Sequence, residues 1–314
     1  MTGAPVSLET VRAAAGRIAG GIRRTPVLAA SALRESPSQG PLFLKLECLQ
    51  VTGSFKPRGA LNKALGLGAA PGGLTTASGG NHGLGVAYAA SVLGVPATVF
   101  LPSSTPEAKA RKLRGWGAAV RMAGSVFDEA NEAALAHAET GGAVYVHPFA
   151  DPAVVSGQGT VGLELLEDVP DADTVLVAVG GGGLIAGIAT ALKALRPSVR
   201  VVGVEPVGAP TLHDSLKARA LVTLERIGTE VGTLAPLRSA PLNLELIAAG
   251  VDRIVLVDDE AMRQAARWLW FEVGVAAELS GAAALAALTT GAYRPTPDER
   301  VIAVVCGAGS DGLG

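Results

Sequence analysis

The sequence predicts an α/β protein of two lobes, each a mostly parallel sheet covered by helices. Three observations carry this. Short apolar segments alternate with longer segments of helical period along most of the chain. The turns between them are short and glycine-rich, and the chain holds 41 glycines. Thr174–Val179 is a continuous apolar run, as expected of a strand buried on both faces.

Taken in order, Leu8 to Ile22 reads as an opening amphipathic helix, broken by Arg24-Thr25-Pro26. Leu42 to Glu47 alternates apolar and polar and reads as a strand leading straight into Gly53-Ser54-Phe55-Lys56-Pro57-Arg58-Gly59-Ala60, where Pro57 favours a helix start. Strands follow at Leu74–Ala77, Ala97–Leu101, Ala118–Arg121 and Ala143–Val146. Helices fall between them at Asn81–Leu93, Pro106–Arg114 and Phe127–Glu139. After His147-Pro148-Phe149 come a helix through Thr160 to Glu167, the strand Thr174–Val179, a helix from Leu184 to Leu195 and a strand Val199–Val204. Thr223 to Leu242 is irregular and has no assignment. The chain closes with a strand Arg253–Val257, helices Asp259–Phe271 and Gly281–Leu288, a strand Val301–Val305 and the turn at Cys306. The crossings between lobes fall near Gly66 and His147.

Composition narrows the function classes. The 314 residues are 49% hydrophobic and 17% charged, enough to bury a large core. A net charge of −2 with no basic run gives no reason to expect nucleic acid or an anionic membrane as partner. Cys48 and Cys306 make neither a disulfide framework nor a zinc spacing. The start, Met1 to Val6, has no signal-like pattern, and apolar stretches such as Gly281–Leu288 fall short of the ~20 residues that span a bilayer. A cytoplasmic protein is expected.

Three strand-to-helix or strand-to-turn junctions carry chemistry. Lys56 stands between an aromatic residue and a proline; an ammonium that loses hydration there has a lowered pKa and yields a nucleophilic amine. Taken alone, the segment reads as readily as a helix start. Gly180-Gly181-Gly182-Gly183 ends a buried strand and opens a helix, so several backbone N–H groups converge where a phosphate is stabilised. No lysine-serine or lysine-threonine pair follows, so it is not a P-loop. Ser78-Gly79-Gly80-Asn81-His82-Gly83 could hold a carboxylate or be a helix cap with glycine turns. Cys306 lies at a strand's carboxyl end, as a nucleophile or as an inert core thiol.

The ordered set of Gly53–Ala60, Ser78–Gly83, Gly157–Thr160, Gly180–Leu184, Gly203–Pro206, Gly281–Ala283 and Cys306-Gly307 resembles the fold-type II pyridoxal-phosphate enzymes, the tryptophan synthase β-like group, and within it the serine/threonine dehydratases. The resemblance runs from about Arg24 to the C-terminus. It implies a large cofactor-binding lobe of residues 1–65 and 148–314, a small mobile lobe of 66–147 that closes over the substrate, and a homodimer. By the same resemblance Lys56 forms the Schiff base, Phe55 lies against the pyridine ring and Asn81 bonds its phenolic oxygen. Backbone N–H groups of Gly180, Gly181, Gly182, Gly183 and Leu184 hold the phosphate, and Cys306 faces the ring nitrogen. Ser78, Gly79, Gly80, Asn81 and His82 form the loop that takes the substrate carboxylate.

The implied reaction is dehydration and deamination of L-threonine or L-serine to a 2-oxo acid and ammonia, with Lys56 as base and the cofactor phosphate as the family's proton donor to the leaving hydroxyl. Departures from the family sharpen this. Racemases read serine where this chain has Gly79, so a second acid/base is missing and poor racemisation is expected. Relatives with a cation site have an aspartate where Thr211 stands; Glu205 and Ala209 match but the set is incomplete, and no metal is expected. Leu279-Ser280 after Glu278 departs from the usual proline and small residue, and the stretch around Gly232-Thr233-Leu234, where relatives contact the substrate side chain, matches poorly. No regulatory domain follows the cofactor turn, so feedback by isoleucine is not expected. The rival readings are an amino-acid racemase, a β-replacement enzyme of the cysteine synthase type, and a catalytically silent ligand-binding protein of this fold. His82, where that type has threonine, argues against the second; Lys56 and the glycine run argue against the third.

Overall fold

A computed structural model describes residues 5–68, 70 and 72–313. Helix α1 (Leu8–Ile18) opens on a capping box in which Ser7 and Thr10 each accept the other's backbone N–H, and it buries Val11, Ala14 and Ile18. It ends four residues before the expected Ile22, just ahead of Gly20 at φ +79°. A short strand β1 (Val27–Ala29), unforeseen in the sequence, pairs antiparallel with β2 (Leu42–Lys45). Three largely exposed residues give no periodic signal, and their pairing with β2 alone makes them a strand. The chain does not run straight from β2 to Lys56. Two 3-10 turns intervene, Glu47–Leu49 and Val51–Gly53, with Thr52 at φ 66°, before α2 (Lys56–Gly66) begins.

Next come β3 (Leu74–Ala77), α3 (Asn81–Leu93), β4 (Ala97–Leu101), α4 (Glu107–Gly115), β5 (Ala119–Met122), α5 (Phe127–Gly141) and β6 (Val144–Tyr145). These four strands form a parallel sheet in the order β5-β4-β3-β6. The remainder is α6 (Pro152–Asp168), β7 (Thr174–Ala178), α7 (Gly183–Leu195), β8 (Arg200–Pro206), α8 (Thr211–Ala218), α9 (Pro241–Gly250), β9 (Arg253–Val257), α10 (Asp259–Val273), α11 (Leu279–Thr289) and β10 (Val301–Val304). The larger sheet runs β1-β2-β10-β7-β8-β9, parallel throughout except at β1. Every residue of β7 is buried, as its unbroken apolar run requires. Helices α8 and α9 escape the sequence reading. The stretch between them stays mostly irregular, with one 3-10 turn at Gly232–Leu234.

The last strand is inserted between β2 and β7, parallel to both. That placement brings the turn at Cys306 back to the start of α2. The core of the smaller sheet also takes Ile18, Ala60, Leu61, Ala64 and Val154 from α1, α2 and α6, so packing does not divide where the strands divide. Among the described residues, no helix is long and apolar enough to cross a membrane.

Candidate active site

The Lys56 segment is fastened to the turn after β10. Ser54 bridges to Gly307, Phe55 N–H donates to the Cys306 carbonyl at 3.3 Å, and Ala308 N–H donates to the Gly53 carbonyl at 2.8 Å. Residues far apart in the chain thereby meet at one end of the sheet. The Lys56 Nζ donates to the Pro148 carbonyl at 2.9 Å and lies 5.1 Å from the centre of the Phe55 ring. Desolvation pushes this half-buried amine down to about 8, against the opposing pull of Cys306 and Glu278. About a tenth of it is then neutral at pH 7, far more than for a solvated lysine.

The glycine run sits at the N-terminus of α7. Among the described residues, none of the backbone N–H groups from Gly180 to Ile185 donates to a protein acceptor. Gly182, at φ +90°, turns the chain into the helix. A Cβ on Gly181 would stand 2.3 Å from the Phe149 ring, so the loop is packed without room for a side chain. The Gly181 carbonyl is tied back: Asn243 Nδ2 donates to it at 2.6 Å and Ser239 Oγ at 3.0 Å, and Asn243 Nδ2 also donates to the neighbouring Phe149 O at 3.0 Å. Among the described residues, these N–H groups are thus left without protein acceptors at the positive end of a buried helix.

The third loop joins β3 to α3. Gly80 N–H donates to Ser78 Oγ at 3.4 Å, and Asn81 opens the helix. Asn81 Nδ2 donates to Glu278 Oε1 at 2.7 Å, and Ser280 Oγ donates to the same oxygen. Burial pushes the Glu278 carboxyl up. Cys306 Sγ donates to the Ser280 carbonyl at 3.4 Å, and burial holds this thiol far above the usual range. Burial thus favours the neutral thiol, a weak donor, over a thiolate. Gly79 does not simply leave a face bare. A Cβ there would lie 3.2 Å from Thr105 Cγ2 and 3.4 Å from Leu101 Cδ2, aimed into the smaller sheet's flank.

Sequence reasoning missed Glu278, Pro148, Phe149, Asn243 and His147 as members of the site. No local pattern marks them; each arrives through tertiary packing. Thr233, from the stretch that matches the family poorly, lies between two glycine loops. Its carbonyl is 2.9 Å from where a Gly180 Cβ would be and its methyl 4.0 Å from that of Gly80. Glu205 accepts N–H bonds from Leu212 at 2.9 Å and His213 at 2.8 Å, capping α8, while Thr211 Oγ1 donates to Pro236 O. Among the described residues, no three His, Cys, Asp or Glu side chains are grouped to hold a metal ion.

Two neutral histidines flank the lysine. His82 is buried with Nε2 2.8 Å from the Val146 carbonyl, which makes that nitrogen the N–H and leaves Nδ1 a buried acceptor without a partner. Burial first, and the Lys56 charge second, push it down to about 3. Burial likewise pushes His147 down to about 4; its Nδ1 accepts from Phe149 N–H and Ala150 N–H. Both values lie below that of the unfolded chain, so the stability these groups lend is full above about pH 6.5 and is lost as pH falls towards 4 and then 3. Thermal melts from pH 7 to pH 4 are expected to show this acid loss, and His82→Gln to flatten it by up to about one proton per molecule. An unchanged slope in that variant would contradict the assignment.

A donor cradle at the N-terminus of α7 and a desolvated lysine at the start of α2 suit one phosphate-bearing carbonyl compound. The family model described as pyridoxal-phosphate dependent enzyme matches residues 18–307. The chain belongs to this family. Its cofactor is pyridoxal phosphate, and the unpartnered N–H groups from Gly180 to Ile185 fit the phosphate. The chain is 42% identical over 285 residues to L-threonine ammonia-lyase of Thermotoga maritima, covering 90% of this chain and 71% of that protein. Among solved structures it resembles a threonine deaminase from T.th., at TM-score 0.89 and 40% identity over 96% of this chain and 98% of that one. It also resembles maize serine racemase, at TM-score 0.92 and 33% identity over 97% and 94%. Fold similarity therefore does not separate elimination from racemisation; the site must.

Proposed function

We propose that the protein converts L-threonine or L-serine to the 2-oxo acid and ammonia, by loss of water followed by hydrolysis. The observation that carries this is Lys56, whose Nζ is held at the Pro148 carbonyl beside the Phe55 ring, where desolvation lowers its pKa to about 8. The names of the relatives support it. When bound, pyridoxal phosphate supplies the electron sink for the pair left at the substrate Cα. In this reading Gly180 to Leu184 would hold the phosphate through backbone N–H groups, and Phe55 and Asn81 would be the ring's neighbours. Ser78 and the N–H groups about Gly79, Gly80, Asn81 and His82 take the substrate carboxylate. Lys56 removes the Cα proton. Its resulting ammonium is stabilised by the Pro148 carbonyl and by nearby Glu278. The electron pair at Cα would expel the β-hydroxyl, which leaves as water on taking a proton, equivalent to the one that Lys56 removed. The enamine released is hydrolysed to the oxo acid and ammonia. A thiol, unlike a carboxylate, does not keep the ring nitrogen protonated, which weakens the sink and favours prompt expulsion of the leaving group.

The proposal includes a small lobe of residues 66–147 that closes on the substrate, since Ser78 to His82 lie on the first turn of the smaller sheet. Composition supports a cytoplasmic location, and family likeness a homodimer. The test is ammonia and 2-oxo acid release across a panel of β-substituted amino acids with cofactor-loaded protein. Threonine and serine are expected to turn over; no release from any of them would sink the reading. With L-serine, pyruvate is expected to outpace D-serine, because this reading assigns the Cα proton to Lys56 and Gly79 brings no second acid/base. Equal rates would favour the racemase.

A further inference from the structure

Arg58 follows Lys56 by two residues, in the first turn of α2, and its side chain is fully buried. That turn lacks the usual supports. Phe55 caps it with no side-chain hydrogen bond, and Pro57 contributes no N–H. Arg58 supplies the support instead. Its Nε and Nη2 bond the two Glu47 oxygens at 2.8 and 2.7 Å, and its Nη1 and Nη2 bond the two Glu164 oxygens at 2.7 and 3.0 Å. Nη1 also donates to Thr160 Oγ1 at 3.1 Å, so all five guanidinium N–H groups are used.

The acceptors are fixed in turn. Glu47 is itself fully buried and takes a bond from Thr25 Oγ1. Glu164 takes a 2.6 Å bond from Lys45 Nζ, which is fully buried and also donates to the Thr25 carbonyl. The lattice thus ties the start of α2 to β2, to the 3-10 turn after it and to α6. From the opposite side Gly85 of α3 presses on the same turn, where a Cβ would come within 3.0 Å of the Lys56 carbonyl carbon.

We propose that Arg58 is a positioning residue for Lys56: its two bidentate carboxylate pairs hold the first turn of α2 so that the lysine amine stays at the Pro148 carbonyl, out of bulk water and in reach of the substrate Cα. The inference rests on the reading of Lys56 as base. A lysine at position 58 has three donors on a flexible stem and cannot grip both carboxylates in a plane. The groups that face Lys56 from its neighbours, Glu278, Cys306, His82 and His147, are untouched by the substitution.

The experiment compares the parent with Arg58→Lys, and with Thr160→Val as the milder change, each loaded with pyridoxal phosphate and assayed well below its Tm. Three readouts are taken: kcat and KM for L-threonine, the pH at which the ascending limb of kcat reaches half height, and the fraction of Lys56 labelled after borohydride reduction, by peptide mass spectrometry. For Arg58→Lys, kcat is expected to fall about tenfold or more with KM nearly unchanged, as for a misplaced catalytic group. The limb is expected to move alkaline by about half a pH unit or more as the amine regains water, and the label to decrease. Thr160→Val is expected to follow in the same direction by about two- to threefold, as the loss of one of the five Arg58 hydrogen bonds implies. A lowered Tm with kcat, limb and label at parent values in either folded variant would make Arg58 purely structural and overturn the proposal. An unlabelled parent at Lys56 would instead sink the reading beneath it.

Discussion

Lys56→Ala is expected to lower ammonia release from L-threonine at least about a thousandfold, within the range that a lost general base costs. The same substitution is expected to remove the absorbance near ~410–420 nm that pyridoxal Schiff bases show in cofactor-loaded protein. Two functions are lost together, since the side chain that anchors the cofactor is also the one that takes the proton. Lys56→Arg separates charge from basicity. A guanidinium keeps the positive charge beside Glu278 and Cys306 but cannot be deprotonated in a protein. Arginine is therefore expected to be as inactive as alanine. Retained turnover in Lys56→Arg, measured by coupled detection of 2-oxobutanoate, would mean that another group removes the Cα proton. His82 would then be the one to test, with its unpartnered buried nitrogen.

The parts of the site that show in the sequence are those at strand-to-helix junctions. Lys56, Ser78 to Gly83 and Gly180 to Gly183 are each local, and the turns that expose them are local too. Their meeting is not local. It depends on β10 entering between β2 and β7, which no periodicity reveals. The alternation of Leu42 to Glu47 shows a strand, yet its polar residues are fully buried. Lys45 and Glu47 become interior because Glu164 of α6 and Arg58 of α2 arrive to pair with them. Left unpaired, such charges would not survive burial. Glu278 is hidden for the same reason. Only the closure of α3 upon the turn before α11 gives it Asn81 as a partner. Helices α8 and α9 fail to show because each is short, and α9 is apolar on most sides, which leaves no polar face to set a period.

Gly181→Ala tests the phosphate cradle as a matter of packing rather than chemistry. The added methyl would begin 2.3 Å from two carbons of the Phe149 ring, so loop or ring must shift. The ring has little freedom: its residue's carbonyl is held by Asn243 Nδ2 and lies 2.8 Å from where a Gly183 Cβ would be. The loop moves instead, and the backbone N–H groups assigned to the phosphate are displaced. Each hydrogen bond to a charged group is worth about 1.5–3 kcal/mol, so losing one or two weakens cofactor binding by about 3 kcal/mol, or a hundredfold. Equilibrium titration of apoprotein with pyridoxal phosphate, followed by absorbance, is expected to show that loss. At saturating cofactor kcat is expected to return to within a fewfold of the parent, because Lys56 and its Pro148 contact lie on other elements. Asn243→Ala, which frees the Gly181 carbonyl without adding volume, is expected to weaken binding less, since Ser239 still holds that oxygen. Parent-like affinity in Gly181→Ala would show that the phosphate is held elsewhere. A collapse of kcat even at saturation would show that the loop also sets the geometry of the reacting atoms.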